Sequence, residues 1–562
     1  MLKSKKPYYI FVSGGVISAL GKGVTAASIS LLLKKHGYKV CPIKCENNLN
    51  WDFGTINPIE HGDPFLCADG LEGDMDLGNY ERFLDQEVGF ANFMTMGQLY
   101  LDVIKKERSM KYNGEDVEPI PHIVNEIIER FDQAYQKTKA DFLVVELGGT
   151  VGEYENNNGL YYEAARILGL KQKVANIHVT YVPVPPHIGE PKTKPAQFGI
   201  KHLMTMGIFP NFLIVRSEIP IDDRRKYKFA LKFHIPKEHI ISNENLDDVH
   251  RVPIHLHSQK LDKKILEYFD LPSKPKIDIS EWKKFVSIRT NKSLKKVKIS
   301  IVGKYFGTGD SNLFDSYYAL IEALKHGAVA NNISIDFKFI NSEKNENEIE
   351  KLLVDTDGVV VPIGWGARGV PGKIKAIKFA RENNIPYLGL CYGMQLACIE
   401  FARNVAQITD ADTEEINPNS KNLIIHSIPF DQKYQVIKGD GTSMRLGTFE
   451  CKLKPNSVVS KIYVKAKFYE KKLSDGSLVV KERHRHRFEF NNDYRELLES
   501  KGLVLSGVSL DNFFVEFIEL PKDKHRFFVG TQGHPEYRST PNKPHPLFVE
   551  FINVSLNFNS EK

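Results

Sequence analysis

Short apolar runs alternate with amphipathic, helix-compatible segments along two stretches of the 562-residue chain, from Tyr8 to about Phe269 and from Val297 to the C-terminus. This alternation predicts two α/β domains on mostly parallel sheets. Between them, Leu271 to Lys296 carries Pro272, Pro275, Ser-Lys pairs and the polar run Asn291 to Lys296, and reads as a linker. The predicted division is a domain over 1–270, a linker over 271–296 and a domain over 297–562. Asn341 to Glu350 reads as a solvated turn and helix start, and Lys465 to Lys481, with Asp475-Gly476, as a surface hairpin. No internal repeat relates the halves.

Several predicted strands end on residues that carry chemistry. The run Ile385-Pro386-Tyr387-Leu388 leads into Gly389-Leu390-Cys391-Tyr392-Gly393, and a helical stretch follows from Met394 to Arg403. Strand, tight turn and helix in that order form a nucleophile elbow with cysteine in place of serine. The glycines avoid clashes in a turn that sharp, and a helix N-terminus behind Cys391 favours thiolate and offers N–H groups to an oxyanion. Far downstream, Phe527 to Thr531 reads as a strand ending at His534-Pro535-Glu536. Cys391, His534 and Glu536 supply a nucleophile, a base and a carboxylate that orients the base.

In the N-terminal half, the strand Tyr8 to Ser13 runs into Gly14-Gly15-Val16-Ile17-Ser18-Ala19-Leu20-Gly21-Lys22-Gly23, with a helix from about Val24. Glycines let the backbone wrap an anion, helix N–H groups face it, and Lys22 neutralises phosphate charge. The spacing is one residue longer than a Walker A motif, and Gly23 stands where Ser or Thr is usual. Glu146 closes the apolar run Phe142 to Val145, at the sheet edge where α/β proteins bind ligands. With Asp76, from the run Glu72-Gly73-Asp74-Met75-Asp76, it suits Mg²⁺ beside nucleotide phosphates, a solvated loop being the alternative for that acidic run. Gly189 to Gln197, stiffened by Pro191 and Pro195, presents Lys192 and Lys194 either to a second set of phosphates or simply to solvent.

Composition narrows the class. Apolar residues are 42% and charged residues 26%, as in soluble globular proteins. Net charge is 76 − 70 = +6, spread along the chain, which predicts modest anion affinity and no nucleic-acid partner. Six cysteines without paired metal spacing predict a reducing compartment, and Cys41 and Cys45 lack a second pair for zinc. With no secretory signal and no apolar run of membrane length, a cytoplasmic protein without membrane association is expected.

The order Cys391…His534-Pro535-Glu536 resembles the class I glutamine amidotransferases, which release ammonia from glutamine through a glutamyl thioester for use at a second site. Taken together, the segments of both halves are similar to the CTP synthases, and the resemblance covers nearly the whole chain. The resemblance rests on Ser13 to Gly23, Asp76-Leu77-Gly78-Asn79-Tyr80-Glu81-Arg82-Phe83, Glu146-Leu147-Gly148-Gly149-Thr150-Val151-Gly152 and Lys192-Thr193-Lys194-Pro195. In the second half it rests on Gly389 to Gln395, Met444-Arg445-Leu446-Gly447, Glu482-Arg483-His484-Arg485-His486-Arg487 and His534-Pro535-Glu536.

The resemblance implies a P-loop-type parallel-sheet synthetase domain and a class I glutaminase domain that together aminate UTP to CTP with ATP, ammonia being channelled between them. It implies that Ala19, Leu20, Gly21, Lys22, Gly23 and Val24 hold ATP phosphates with Lys44, that Asp76 and Glu146 bind Mg²⁺, and that Glu244, Asn245 and Leu246 lie by adenine. Ser18, Lys192, Thr193, Lys194, Pro195, Ala196, Gln197 and Lys228 would bind UTP, with Glu153, Tyr154 and Glu155 at the pyrimidine end of inhibitory CTP. Gly364 and the Tyr392 N–H would face the glutamyl carbonyl; Gly393, Met394 and Gln395 would line the glutamine site, with Glu415 against the ammonium and Arg487 against the carboxylate. GTP activation, CTP inhibition and a homotetramer are further family properties.

The chain departs from the family pattern at Cys45 to Asn50, Met110 to Gly114, Glu118, Asn156 to Gly159 and a shortened segment before Gly441. Ile363 replaces one of two consecutive glycines, Trp365 a Phe and Gly533 the Phe before His534. The competing readings are another ATP-dependent glutamine amidotransferase of the cobyrinate type, or a weakly catalytic regulatory or filament-forming homologue. The Lys192 to Pro195 loop argues against the first. Retention of Lys22, Lys44, Asp76, Glu146, Cys391, His534 and Glu536 argues against the second.

Overall fold

In the computed structural model, the described residues are 6–15, 17–57, 62–152, 158–308, 311–312, 314–344, 346–429 and 443–561. They fall into two compact units, Met1–Thr55 with Asp76–Val286, and Ile56–Met75 with Ser287–Lys562. The linear reading placed 56–75 with the first half; contacts group that segment with the second unit.

The first unit is built on seven parallel strands in the order Phe93–Thr95, Val40–Glu46, Phe142–Glu146, Tyr8–Gly14, Val174–Tyr181, Phe212–Ser217 and Ile240–Glu244. The central strands Tyr8–Gly14 and Phe142–Glu146 are apolar over most of their length because they are buried on both faces. Polar residues collect at their C-terminal ends, where Glu46, Glu146 and Glu244 each close a strand. The helix Lys22–His36 starts from Gly21 at φ 83 and is buried over most of its length.

The stretch 271–296 is not loop throughout. Ser280–Arg289 is a helix whose Trp282 and Phe285 are buried, and the Trp282 indole donates to the His250 carbonyl at 2.8 Å.

The second unit carries a ten-stranded sheet. Five strands are parallel, in the order Ser334–Asn341, Lys296–Gly303, Gly358–Val361, Tyr387–Leu390 and Phe528–Thr531. The sheet continues antiparallel through Val515–Glu519, Val504–Ser509, Arg445–Leu453, Leu478–His486 and Lys471–Lys472. The last two form a hairpin shorter than the stretch read from Lys465, whose first residues end the helix Val458–Ala466 instead. Its strand Leu478–His486 is largely buried, and the Ser477 N–H donates to Asp475 across the turn. Within the parallel half, Leu390 lies opposite Thr531, so the segments after both strands emerge side by side. Among the described residues, no helix is long and apolar enough to cross a membrane.

Candidate active site

The elbow forms as its glycines require. Cys391 sits at φ 49, a left-handed conformation that costs a non-glycine residue energy, and caps the helix Tyr392–Asn404. A Cβ on Gly393 would lie 2.0 Å from the Val361 carbonyl oxygen, and one on Gly389 would lie 2.8 Å from the Gly393 carbonyl carbon. Tyr392, Gly393 and Met394 occupy the first turn, where N–H groups lack intrahelical acceptors and can serve an oxyanion. The Met394 side chain is buried in the core, which leaves its backbone to face a ligand.

His534 and Glu536 reach Cys391 from the neighbouring strand. The His534 Nδ1–Glu536 Oε1 distance is 2.7 Å, and both side chains are buried. Burial alone would lower the His534 pKa, but Glu536 and Cys391 outweigh it and push the imidazole up to about 10. An imidazolium is thereby held beside the nucleophile. Gln532, which the sequence reading missed, donates through Nε2 to Cys391 Sγ at 3.5 Å and accepts from Gln395 Nε2 at 3.2 Å.

The loop after Val361 packs against Tyr392, the residue that follows the nucleophile. A Cβ on Gly364 would meet Lys373 Nζ at 2.9 Å and the Tyr392 ring at 3.1 Å. Lys373 is fully buried, donates to the Pro362 carbonyl at 3.2 Å and has its pKa driven well down by desolvation. Glu415 accepts the Gly366 N–H at 2.6 Å. Burial raises its pKa, while the Gly366 bond and the charges of Lys304, Arg487 and Lys373 act in the opposite direction. A carboxylate and a guanidinium in electrostatic range of each other suit the two charged ends of an amino acid.

In the first unit, carboxylates converge on one ammonium. Lys44 Nζ donates to Asp76 Oδ2 and Glu146 Oε1, each at 2.8 Å, and lies 3.3 Å from Glu46 Oε1. Tyr80 adds a hydrogen bond to Glu146 Oε2 at 2.6 Å. Burial raises the pKa values of Glu146 and Glu46. For Asp76 burial pushes the same way, but the Lys44 ammonium prevails and the carboxyl sits below its ordinary value. Lys22 Nζ donates to the Gly149 carbonyl at 2.8 Å, and desolvation lowers its pKa. Gly23 explains its own departure from the Walker pattern: a Cβ there would lie 2.2 Å from Asp76 Oδ1.

The chain matches two family models, CTP synthase N-terminus over residues 8–271 and Glutamine amidotransferase class-I over residues 312–554. The CTP synthase of Caldanaerobacter subterraneus is 43% identical over 553 residues, 98% of this chain and 98% of the relative. That of Carboxydothermus hydrogenoformans is 44% identical, over 98% and 99%. That of Thermococcus gammatolerans is 42% identical, over 97% and 98%. The chain belongs to the CTP synthase family. It is thus a member of a group of glutamine-hydrolysing ligases that use ATP to aminate UTP. Among solved structures, the acivicin-bound glutaminase domain of Trypanosoma brucei CTPS is 36% identical, with a TM-score of 0.40, over 46% of this chain and 94% of its own.

Within this CTP synthase framework, Thr193 precedes the helix Lys194–Thr205, with Pro195 in its first turn. Thr193 Oγ1 accepts from Gln197 Nε2 at 2.9 Å, and Ala196 is buried. Lys192 pairs with Glu190 at 3.3 Å. Two residues absent from the sequence reading anchor this loop: Arg225, through the Pro191 carbonyl at 2.9 Å and Glu190 at 2.6 Å, and Lys232, through Gln197. Their helix, Asp223–Phe233, leaves Lys228 exposed, and Ser18 and Ala19 are exposed on the glycine loop, with Leu20 buried. Glu244 and Asn245 are tied to Arg216 at 3.3 and 2.9 Å, with half-buried Leu246 following. Glu153, Tyr154 and Glu155 lie outside the described residues, as does the segment before Gly441. Of the family departures, Ile363 packs into the core, and a Cβ on Gly533 would approach the Glu482 Cβ to 2.9 Å.

Proposed function

We propose that residues 1–270 form the ligase domain and 297–562 the glutaminase domain, and that Cys391, His534 and Glu536 generate the ammonia that the ligase site adds to UTP. The observation that carries this is Cys391 at a strained elbow beside a His534–Glu536 pair 2.7 Å apart. Cys391 attacks the γ-amide carbon of glutamine, and the N–H groups of Tyr392 and Gly364 receive the oxyanion. The C–N bond breaks as His534 gives its Nε2 proton to the leaving nitrogen, releasing ammonia and leaving a glutamyl thioester. Water, deprotonated by His534, then cleaves the thioester to glutamate and restores the thiol. Glu415 and Arg487 bind the ammonium and carboxylate of the substrate.

At the ligase site the 4-oxygen of UTP takes the γ-phosphoryl group of ATP, leaving ADP. Ammonia then adds at C4 and expels phosphate, giving CTP. Lys22, Lys44 and the helix N-terminus at Gly21 position and neutralise the phosphates. Asp76 and Glu146 fit Mg²⁺, since hard oxygens from both already converge on Lys44 Nζ. A bound Mg²⁺ would supply charge neutralisation for the triphosphate. The loop Lys192 to Gln197 receives the UTP phosphates.

Family membership further supports GTP activation, CTP inhibition and a tetramer. All six cysteines are buried and none is in a disulfide, which supports a reducing, cytoplasmic location. UTP labelled with oxygen-18 at C4 tests the acceptor chemistry: the label should appear in inorganic phosphate, and its recovery in water instead would refute the phosphorylated intermediate.

A further inference from the structure

Cys391 and His534 are held by a segment that lies far upstream of both in the sequence. Phe65–Leu66 and Glu72–Gly73 pair as a small antiparallel hairpin within the second compact unit. It meets the strand Leu478–His486, on which Arg483 and Arg485, two residues apart, project to the same face. Arg485 is ion-paired through Nε with Glu72 and lies 3.3 Å from Asp63, with both Arg485 and Glu72 buried. Arg483 donates to the Leu66 carbonyl at 2.8 Å.

The backbone of these same two arginines touches the chemistry. The Arg485 carbonyl is the acceptor 3.9 Å from Cys391 Sγ, and the Arg483 carbonyl accepts the His534 N–H at 2.7 Å. Asp63 makes a third link: it accepts the Tyr537 hydroxyl at 2.8 Å, and the Tyr537 ring lies 5.4 Å from that of His534. Nucleophile and base therefore rest on groups whose far ends are fixed by the hairpin.

We infer that the acidic hairpin around Asp63 and Glu72 completes the glutaminase site, with Glu72 and Asp63 acting as positioning residues for Cys391 and His534 through Arg485 and Tyr537. This rests on the glutaminase reading above. A buried guanidinium deprived of its carboxylate shifts to find another partner, and the carbonyl beside the nucleophile shifts with it. Small misplacements of reacting groups cost rate far more than affinity.

The test compares Glu72→Gln, Asp63→Asn and Glu72→Asp with the wild-type full chain. Glutamine hydrolysis and ammonia-dependent CTP formation are measured separately. The expected result is a kcat for glutamine hydrolysis reduced roughly 10- to 100-fold in the two neutral variants, with KM for glutamine changed less than about twofold. Ammonia-dependent synthesis should stay near wild type, and Glu72→Asp should recover most of the lost rate. Unchanged glutaminase kcat in both neutral variants overturns the inference. So does a parallel loss of both activities across all three variants, because it would show a general folding role. A wild-type protein that releases no ammonia from glutamine would instead overturn the underlying glutaminase assignment.

Discussion

The Cys391 N–H donates to the Thr531 carbonyl at 2.7 Å, binding the strand that delivers the nucleophile to the strand that delivers its base. Because Leu390 and Thr531 are in register, the elbow and the His534-Pro535-Glu536 turn leave the sheet from adjacent positions. Parallel pairing brings nucleophile and base, far apart in sequence, to the same edge of the sheet.

The elbow has no room for a methyl group at Gly393. Gly393→Ala would drive a Cβ into the Val361 carbonyl, at a cost of about 1–3 kcal/mol if the backbone yields. Glutamine hydrolysis should fall sharply, while ammonia-dependent CTP formation persists. Thermal unfolding and the two rate assays check this together.

The elevated His534 pKa sets the pH response. Its imidazolium persists up to about pH 10 because Glu536 and Cys391 overcome the effect of burial. Removing the anion in Glu536→Gln makes the imidazolium less favourable, so the pKa falls and the alkaline limb of kcat/KM for glutamine moves to lower pH. A pH–rate profile reads the shift. By linkage, the raised pKa contributes stability that is complete below the ordinary histidine value of 6.5 and is lost as pH rises through about 10.

Much of this organisation is legible in the residue pattern, for identifiable reasons. Phe142 to Val145 is buried on both faces, so its apolar run marks a strand and the terminal Glu146 marks the ligand edge. The helix Ser280–Arg289 is obscured because its inward-facing Trp282 and Phe285 are interspersed with lysines in a proline-flanked segment. The hairpin around Glu72 is obscured for a different reason. Its partners, Arg483 and Arg485, are more than four hundred residues away, and local pattern carries no signal of such a pairing. Glu46 could have been found as a strand-terminal carboxylate two residues after Lys44. Gln532 offers only its place beside the His534 turn.

Gly23 is required by its carboxylate neighbour. Gly23→Ser would restore a Walker-like residue but place its Cβ 2.2 Å from Asp76 Oδ1 in the present geometry. Displacement of Asp76 from Lys44 should depress ammonia-dependent synthesis and leave glutamine hydrolysis by Cys391 measurable. The two activities assayed side by side decide it.

Lys44 is the ammonium on which Glu46, Asp76 and Glu146 converge. Lys44→Met leaves buried Glu146 and half-buried Glu46 and Asp76 without their common partner, a loss of about 3–5 kcal/mol that comes chiefly from unpaired charge at Glu146. The variant should lose CTP formation from either nitrogen source and melt earlier than wild type. Its melting temperature should rise on acidification relative to wild type, since protonation relieves the repulsion.

The central claim is that one chain carries two separable activities joined by ammonia. Nucleotide chromatography after incubation with UTP, ATP and Mg²⁺, supplied with either glutamine or ammonium, tests it with Cys391→Ala beside wild type. The account predicts CTP from both nitrogen sources in wild type and from ammonium alone in Cys391→Ala. Absence of CTP from ammonium, with GTP present and at raised protein concentration, would contradict it.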